Sequence, residues 1–126
     1  MDWEEWKKNQ ENTKTTEEFP NEIVLEVRAG AGGDEASLFA WELAHMYEKF
    51  SESQGWLWRI NYESKSELNG YKEASFEIKG KDVFKKMRYE TGVHRVQRIP
   101  ATEKNGRVHT STASVAILPI RKKINL

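Results

Sequence analysis

The sequence predicts an α+β domain: a mostly antiparallel sheet of about five strands with two helices packed on one face, in the order β-α-β-β-α-β-β. Three observations carry this expectation. Short segments alternate apolar and polar residues with period two, and they are interrupted twice by stretches whose apolar residues recur every three or four positions. The connections between the alternating segments are short, which favours antiparallel neighbours. The chain has 126 residues, enough for one core but not for two.

Glu22 to Arg28 places Ile23, Leu25 and Val27 on one face, as a half-buried strand requires. The glycine-rich turn Gly30-Ala-Gly-Gly33 follows and leads into a helix from Asp34 to about Ser53, Asp34 being its cap if the turn is merely a tight strand-to-helix connection. The apolar stripe of this helix is Ala36, Phe39, Ala40, Leu43, Met46, Tyr47 and Phe50, a core-facing pattern. Trp56 to about Ser64 is a second strand, Ser66 to Gly70 a loop, and Tyr71 to Ile78 a third strand, with Ala74, Phe76 and Ile78 inward. Val83, Phe84 and Met87 have helical spacing within Gly80 to Tyr89, and Thr91-Gly92 ends that helix. Val93 to Ile99 and Ser111 to Leu118 complete the sheet. Residues 1–20 read as a polar, frayed helical segment and linker, 21–120 as the domain, and 121–126 as a basic tail. Trp3 and Trp6 are packing residues in this reading.

There are no cysteines, which removes disulfides and thiolate metal sites and agrees with a reducing compartment. No apolar run approaches the ~20 residues of a membrane-spanning helix, and the acidic start lacks the pattern of a signal peptide, so a cytoplasmic protein without membrane partners is expected. The net charge of zero conceals a segregation: 9 Lys+Arg face 17 Asp+Glu from Met1 to Lys79, and 11 face 3 from Gly80 to Leu126. Such a basic C-terminal part is either a solvated face or an electrostatic footprint for a polyanion.

The segment Gly92 to Thr112 favours the polyanion. Arg95, Arg98, Lys104 and Arg107 can neutralise phosphates, and Gln97, Thr102, His109 and Thr110 offer directional groups, His109 also a stacking face, of the kind unstacked bases need. Pro100 fixes its own φ and extends Ile99, so the Pro100-Ala101-Thr102 turn enters binding with little entropy left to lose. His94 and His109 read as structural or stacking residues, because no third ligand accompanies them at a metal-binding spacing. Neither metal nor other cofactor is expected. The glycine turn entering a helix can present backbone N–H groups to an acceptor, or simply be a tight turn. It lacks the Gly-Lys-Ser/Thr of a nucleoside-triphosphate loop.

The run Gly92-Val-His-Arg-Val-Gln-Arg98, then Pro100-Ala-Thr102, then Gly106-Arg-Val-His-Thr-Ser-Thr-Ala113 resembles the codon-reading domain of bacterial class I peptide chain release factors, in the Pro-x-Thr branch that reads UAA and UAG. Arg28-Ala-Gly-Ala-Gly-Gly-Asp-Glu-Ala36 is similar to the family too, as is Asn69-Gly-Tyr-Lys-Glu73, where the family usually has Gly-Gly-Tyr-Lys-Glu. The resemblance implies that backbone groups at Gly32 and Glu35 accept only uridine at the first codon position. A cytosine there would present a donor to a donor, at roughly 1 to 3 kcal/mol per unsatisfied group. It further implies that Thr102, held by Pro100 beside Ala101, meets the first and second bases, that His109 stacks between the second and third, and that Gln97 and Thr110 meet the third. Val108 stands where isoleucine is common and Asn105 where glutamine is; neither change removes a polar reading group.

The partners implied are the small-subunit decoding centre of the ribosome and the mRNA stop codon, with no small-molecule substrate. The family's Gly-Gly-Gln motif, which promotes peptidyl-tRNA hydrolysis from a separate domain, does not occur in these 126 residues. A non-enzymatic, stop-codon-recognising piece of a release factor is therefore expected, with exposed apolar surface where the family's C-terminal segment would pack. The alternatives are a stand-alone RNA- or ribosome-binding regulator that competes with full-length factors, and a hydrolase using His109 with Asp34 or Glu35.

Overall fold

The computed structural model describes Trp3 and residues 20–100 and 105–120. The rest of the expected N-terminal segment, the basic tail 121–126, and the loop positions Ala101, Thr102 and Lys104 lie outside the described residues. The elements are β1 (Glu22–Ala29), α1 (Gly33–Ser53), β2 (Leu57–Lys65), β3 (Tyr71–Lys79), α2 (Val83–Met87) with a 3-10 turn (Arg88–Glu90), β4 (Gly92–Arg98) and β5 (His109–Pro119). They form the expected α+β fold, a five-stranded antiparallel sheet in the order β2-β3-β1-β5-β4.

Period two decides which face is dry. Ile23, Leu25 and Val27 of β1 sit opposite Ile78, Phe76 and Ala74 of β3 and beside Ile117 and Val115 of β5, and all are buried. Phe39, Ala40, Leu43, Ala44 and Tyr47 of α1 and Val83 and Met87 of α2 cover that face. Truncating Phe76 to alanine at the centre of this cluster would cost about 3–5 kcal/mol. The opposite face carries ion pairs: Arg28 with Glu73 at 2.9 Å, Lys79 with Glu22 at 3.2 Å, and Arg59 with Glu77.

Two residues of the expected stripe leave the core. Met46 and Phe50 are 49% and 39% exposed, because they flank the line along which α1 meets the sheet; Phe50 instead meets the Trp56 ring edge-on at 5.5 Å. Trp56 precedes β2 rather than starting it, and its indole donates to the Lys81 carbonyl at 3.0 Å. Asp34 does not cap α1. The cap position is Gly32, at φ 121°, without a side-chain hydrogen bond, and Asp34 and Glu35 belong to the first turn.

The β2–β3 turn is tightly specified. Asn69 adopts φ 63°, a left-handed conformation that asparagine tolerates better than most side chains, which fits it to a place where the resembling family uses glycine. Gly70 next to it is buried, and a Cβ there would fall 2.5 Å from the Ser37 carbonyl carbon of α1. Helix and turn therefore touch backbone to backbone.

Candidate nucleic-acid interface

Strand register determines what the basic segment presents. In the β4–β5 pair, Arg95 faces Thr112, Gln97 faces Thr110, and Arg98 faces His109. Alternation places Arg95, Gln97, Thr110 and Thr112 on the face away from the helices, and Arg98, His109 and Ser111 on the helix side. The amide of Gln97 donates to Thr110 Oγ1 at 3.5 Å, so these two predicted third-base residues are direct cross-strand neighbours. Val108, His109 and Thr110 are exposed, whereas Pro100 is buried. His94 makes a structural contact: its Nε2 lies 2.7 Å from the Glu90 carbonyl, tying β4 to the preceding 3-10 turn.

The glycine turn arrives at the same end of the sheet. At the start of α1 the Ala36 N–H donates to the Gly32 carbonyl at 3.4 Å, and the first N–H groups of any α-helix point out of its N-terminal end. Gly32 lies so close to β5 that a Cβ on it would stand 3.0 Å from Ser111 Oγ and 3.3 Å from the Thr110 carbonyl oxygen. The structure thus brings Gly32, Glu35, Gln97, Val108, His109 and Thr110 to one end of the domain, although they are far apart in sequence.

Arg98, expected as a phosphate contact, is paired with carboxylates of α1. Its guanidinium makes a bidentate pair with Glu42 of α1, at 2.7 and 3.0 Å, and lies 3.9 Å from Glu35. The hydrogen bonds to Glu42, followed by the charges of Glu42 and Glu35, outweigh burial and hold the guanidinium more firmly in its charged form. The cause is alternation: one residue beyond Gln97, the side chain must point to the helix layer. Arg95 and Arg107 are exposed.

Sequence reasoning did not find Thr112 as a structural contact, nor Glu42. Thr112 holds the glycine turn on β5: its carbonyl accepts from the Gly30 N–H at 2.8 Å, its Oγ1 accepts from the Ala31 N–H at 2.8 Å, and its own N–H donates to the Ala31 carbonyl at 3.0 Å. The glycine at position 30 was a signal for such an approach, since a Cβ there would stand 2.2 Å from Thr112 Oγ1.

A cavity of about 330 Å³ lies elsewhere, between α1 and the β2–β3 pair, lined by Trp41, His45, Trp58, Tyr71 and Phe76 among others. None of the predicted reading residues lines it. Trp41 and His45 stack there with ring centres 3.7 Å apart, and the Tyr71 hydroxyl donates to Glu63. Among the described residues, no cluster of three or more His, Cys, Asp or Glu is arranged to hold a metal ion, and no helix is long and apolar enough to cross a membrane.

The comparisons with known proteins agree with one another. A family model described as the PCRF domain matches residues 3–115. The chain is 59% identical over 97 residues to peptide chain release factor 1 of Borrelia hermsii, covering 77% of this chain and 27% of that protein. It is 56% identical over 103 residues to peptide chain release factor 1 of Rickettsia prowazekii, covering 82% and 29%. The chain thus spans less than a third of the length of these curated relatives. Among solved structures it matches RF2 of Thermus thermophilus with a TM-score of 0.77 and 33% identity, over 79% of this chain and 28% of that one. A family match over most of the chain, joined to a shared sheet-and-helix fold, leads to one conclusion: this chain belongs to the PCRF-domain family, alongside the peptide chain release factors it resembles.

Proposed function

We propose that this domain serves translation termination by reading UAA and UAG stop codons in the decoding centre of the ribosome. The observation that carries the reading is the convergence at one end of the sheet of the helix tip at Gly32 and Glu35 with Gln97, Val108, His109 and Thr110. Backbone N–H groups at the helix start suit a uridine at the first position. The imidazole of His109 offers a flat face for stacking, and Gln97 with Thr110 offers an amide and a hydroxyl that can each donate or accept, so adenine and guanine are both satisfied at the third position. Pro100, Ala101 and Thr102 supply the second-position preference for adenine, and Arg95, Lys104 and Arg107 hold the phosphates. The UAA/UAG branch is supported by the Pro-x-Thr tripeptide and by the relatives named release factor 1.

This chain reads the signal without hydrolysing peptidyl-tRNA, a step that belongs to the Gly-Gly-Gln motif of its full-length relatives. The test is binding of the 126-residue chain to ribosomes carrying UAA, UAG, UGA or CAA in the A site, at graded salt. Tighter binding to UAA and UAG than to UGA, lost on Thr102→Ala and His109→Ala, is expected. Equal affinity for UAA and UGA would overturn the codon assignment, and peptide release by the chain alone would overturn its non-enzymatic part.

A further inference from the structure

We propose that Thr112 is the positioning residue that sets the helix tip against the reading strand, and so governs discrimination at the first base; the proposal rests on the codon-reading function above. The β1–β5 ladder runs in regular register as far as Ala29 opposite Ala113. Beyond it, the Gly30 N–H donates to the Thr112 carbonyl, but the Thr112 N–H donates to the carbonyl of Ala31. Two residues of the turn therefore face one residue of β5, a bulge-like step that re-aims the chain into α1.

Such a step leaves one backbone N–H over, that of Ala31, and it donates to Thr112 Oγ1 at 2.8 Å. The side chain thus completes what the ladder cannot. The next residue is Gly32, whose φ of 121° and closeness to β5, where an added Cβ would stand 3.0 Å from Ser111 Oγ, leave little room for adjustment. Displacing Ala31 moves Gly32 and the first turn of α1 together, while the Gln97–Thr110 pair lies two residue pairs from Thr112 along the β4–β5 ladder and on another hydrogen bond. Thr112 acts through the backbone groups proposed to meet the first base.

Thr112→Val keeps the shape and the strand preference and removes the acceptor. Thr112→Ser restores it. With ribosomes carrying UAA, CAA or UGA, T112V should lower the preference for UAA over CAA by roughly threefold to tenfold, the effect of one net hydrogen bond. The preference for UAA over UGA should stay, and T112S should recover the preference for UAA over CAA. Independently of the ribosome, the Ala31 amide hydrogen should exchange faster by a similar factor in T112V and not in T112S. An unchanged UAA-to-CAA ratio in T112V, an equal fall of both ratios, or unchanged exchange at Ala31 would each overturn the proposal. A wild-type chain that distinguishes no codon would instead overturn the reading on which it rests, leaving the exchange measurement to decide the Thr112 contact itself.

Discussion

Replacing Glu42 by glutamine removes a charge while keeping the shape, and it isolates the pair that takes Arg98 out of the basic surface. Opposite charges about 4 Å apart interact by roughly 4 kcal/mol at an effective dielectric of about 20. The two side chains are 33% and 39% exposed, so solvent screening and desolvation reduce the net contribution to about 1 kcal/mol. Glu35, at 3.9 Å from the same guanidinium, takes up part of the loss in E42Q. The expected change is a fall of about 3–5 °C in melting temperature for E42Q, and a coupling of about 1 kcal/mol between E42Q and R98M in a double-mutant cycle read by urea unfolding. The same variants separate structure from binding. Arg95→Met and Arg107→Met should each reduce the salt dependence of ribosome binding by about one unit of slope, while R98M should change it by less. A coupling below about 0.3 kcal/mol, with R98M reducing the slope as much as R95M, would refute the assignment of Arg98 to Glu42.

Gly70→Ala should destabilise the domain by about 1–3 kcal/mol or more, because the new Cβ meets Ser37 and Leu38 backbone atoms at 2.5 to 2.7 Å and α1 cannot yield without opening the core; denaturant unfolding within 0.5 kcal/mol of wild type would contradict this close approach. Alkaline stability should report two tyrosines: burial, then Glu63 and Glu48, raises the Tyr71 phenol, and burial and Glu90 raise that of Tyr47. An unfolded tyrosine ionises near pH 10, so below that value neither state gives up the proton, and above it only the unfolded chain does. Stability should therefore fall as pH rises beyond about 10, and Tyr71→Phe should flatten that fall when unfolding is followed at about pH 9 and about pH 11.

Much of the fold was legible because it follows from local periodicity. Ile23, Leu25 and Val27 in β1 and Ala74, Phe76 and Ile78 in β3 announce their buried face without any partner. The α1 stripe was legible at Phe39, Leu43 and Tyr47 but not at Met46 and Phe50, since the width of the covered band depends on how the helix crosses the sheet. The proposed reading residues stood out as types in a motif, and their grouping in the fold did not. Arg98 counted as one more cation in the chain, although the same period of two that sets Arg95 and Gln97 outward turns it inward to Glu42. The contact of Thr112 with Ala31 spans 81 residues, and only the glycine at position 30 hinted at it.

The backbone contact between the β2–β3 turn and α1 also bears on how the protein ages. Asn-Gly dipeptides deamidate when the glycine nitrogen attacks the asparagine side-chain carbonyl and closes a succinimide ring. Two occur in this chain, Asn69–Gly70 and Asn105–Gly106. In the first, the nitrogen that would attack donates its hydrogen to Ser66 Oγ at 3.0 Å, and the glycine is wedged against the helix. In the second, both residues are exposed and Gly106 has open space where a Cβ would stand. Chemical time should therefore be recorded at the loop between β4 and β5, as a new negative charge next to Arg107, while the equally fragile dipeptide towards the opposite edge of the sheet stays intact as long as the fold does.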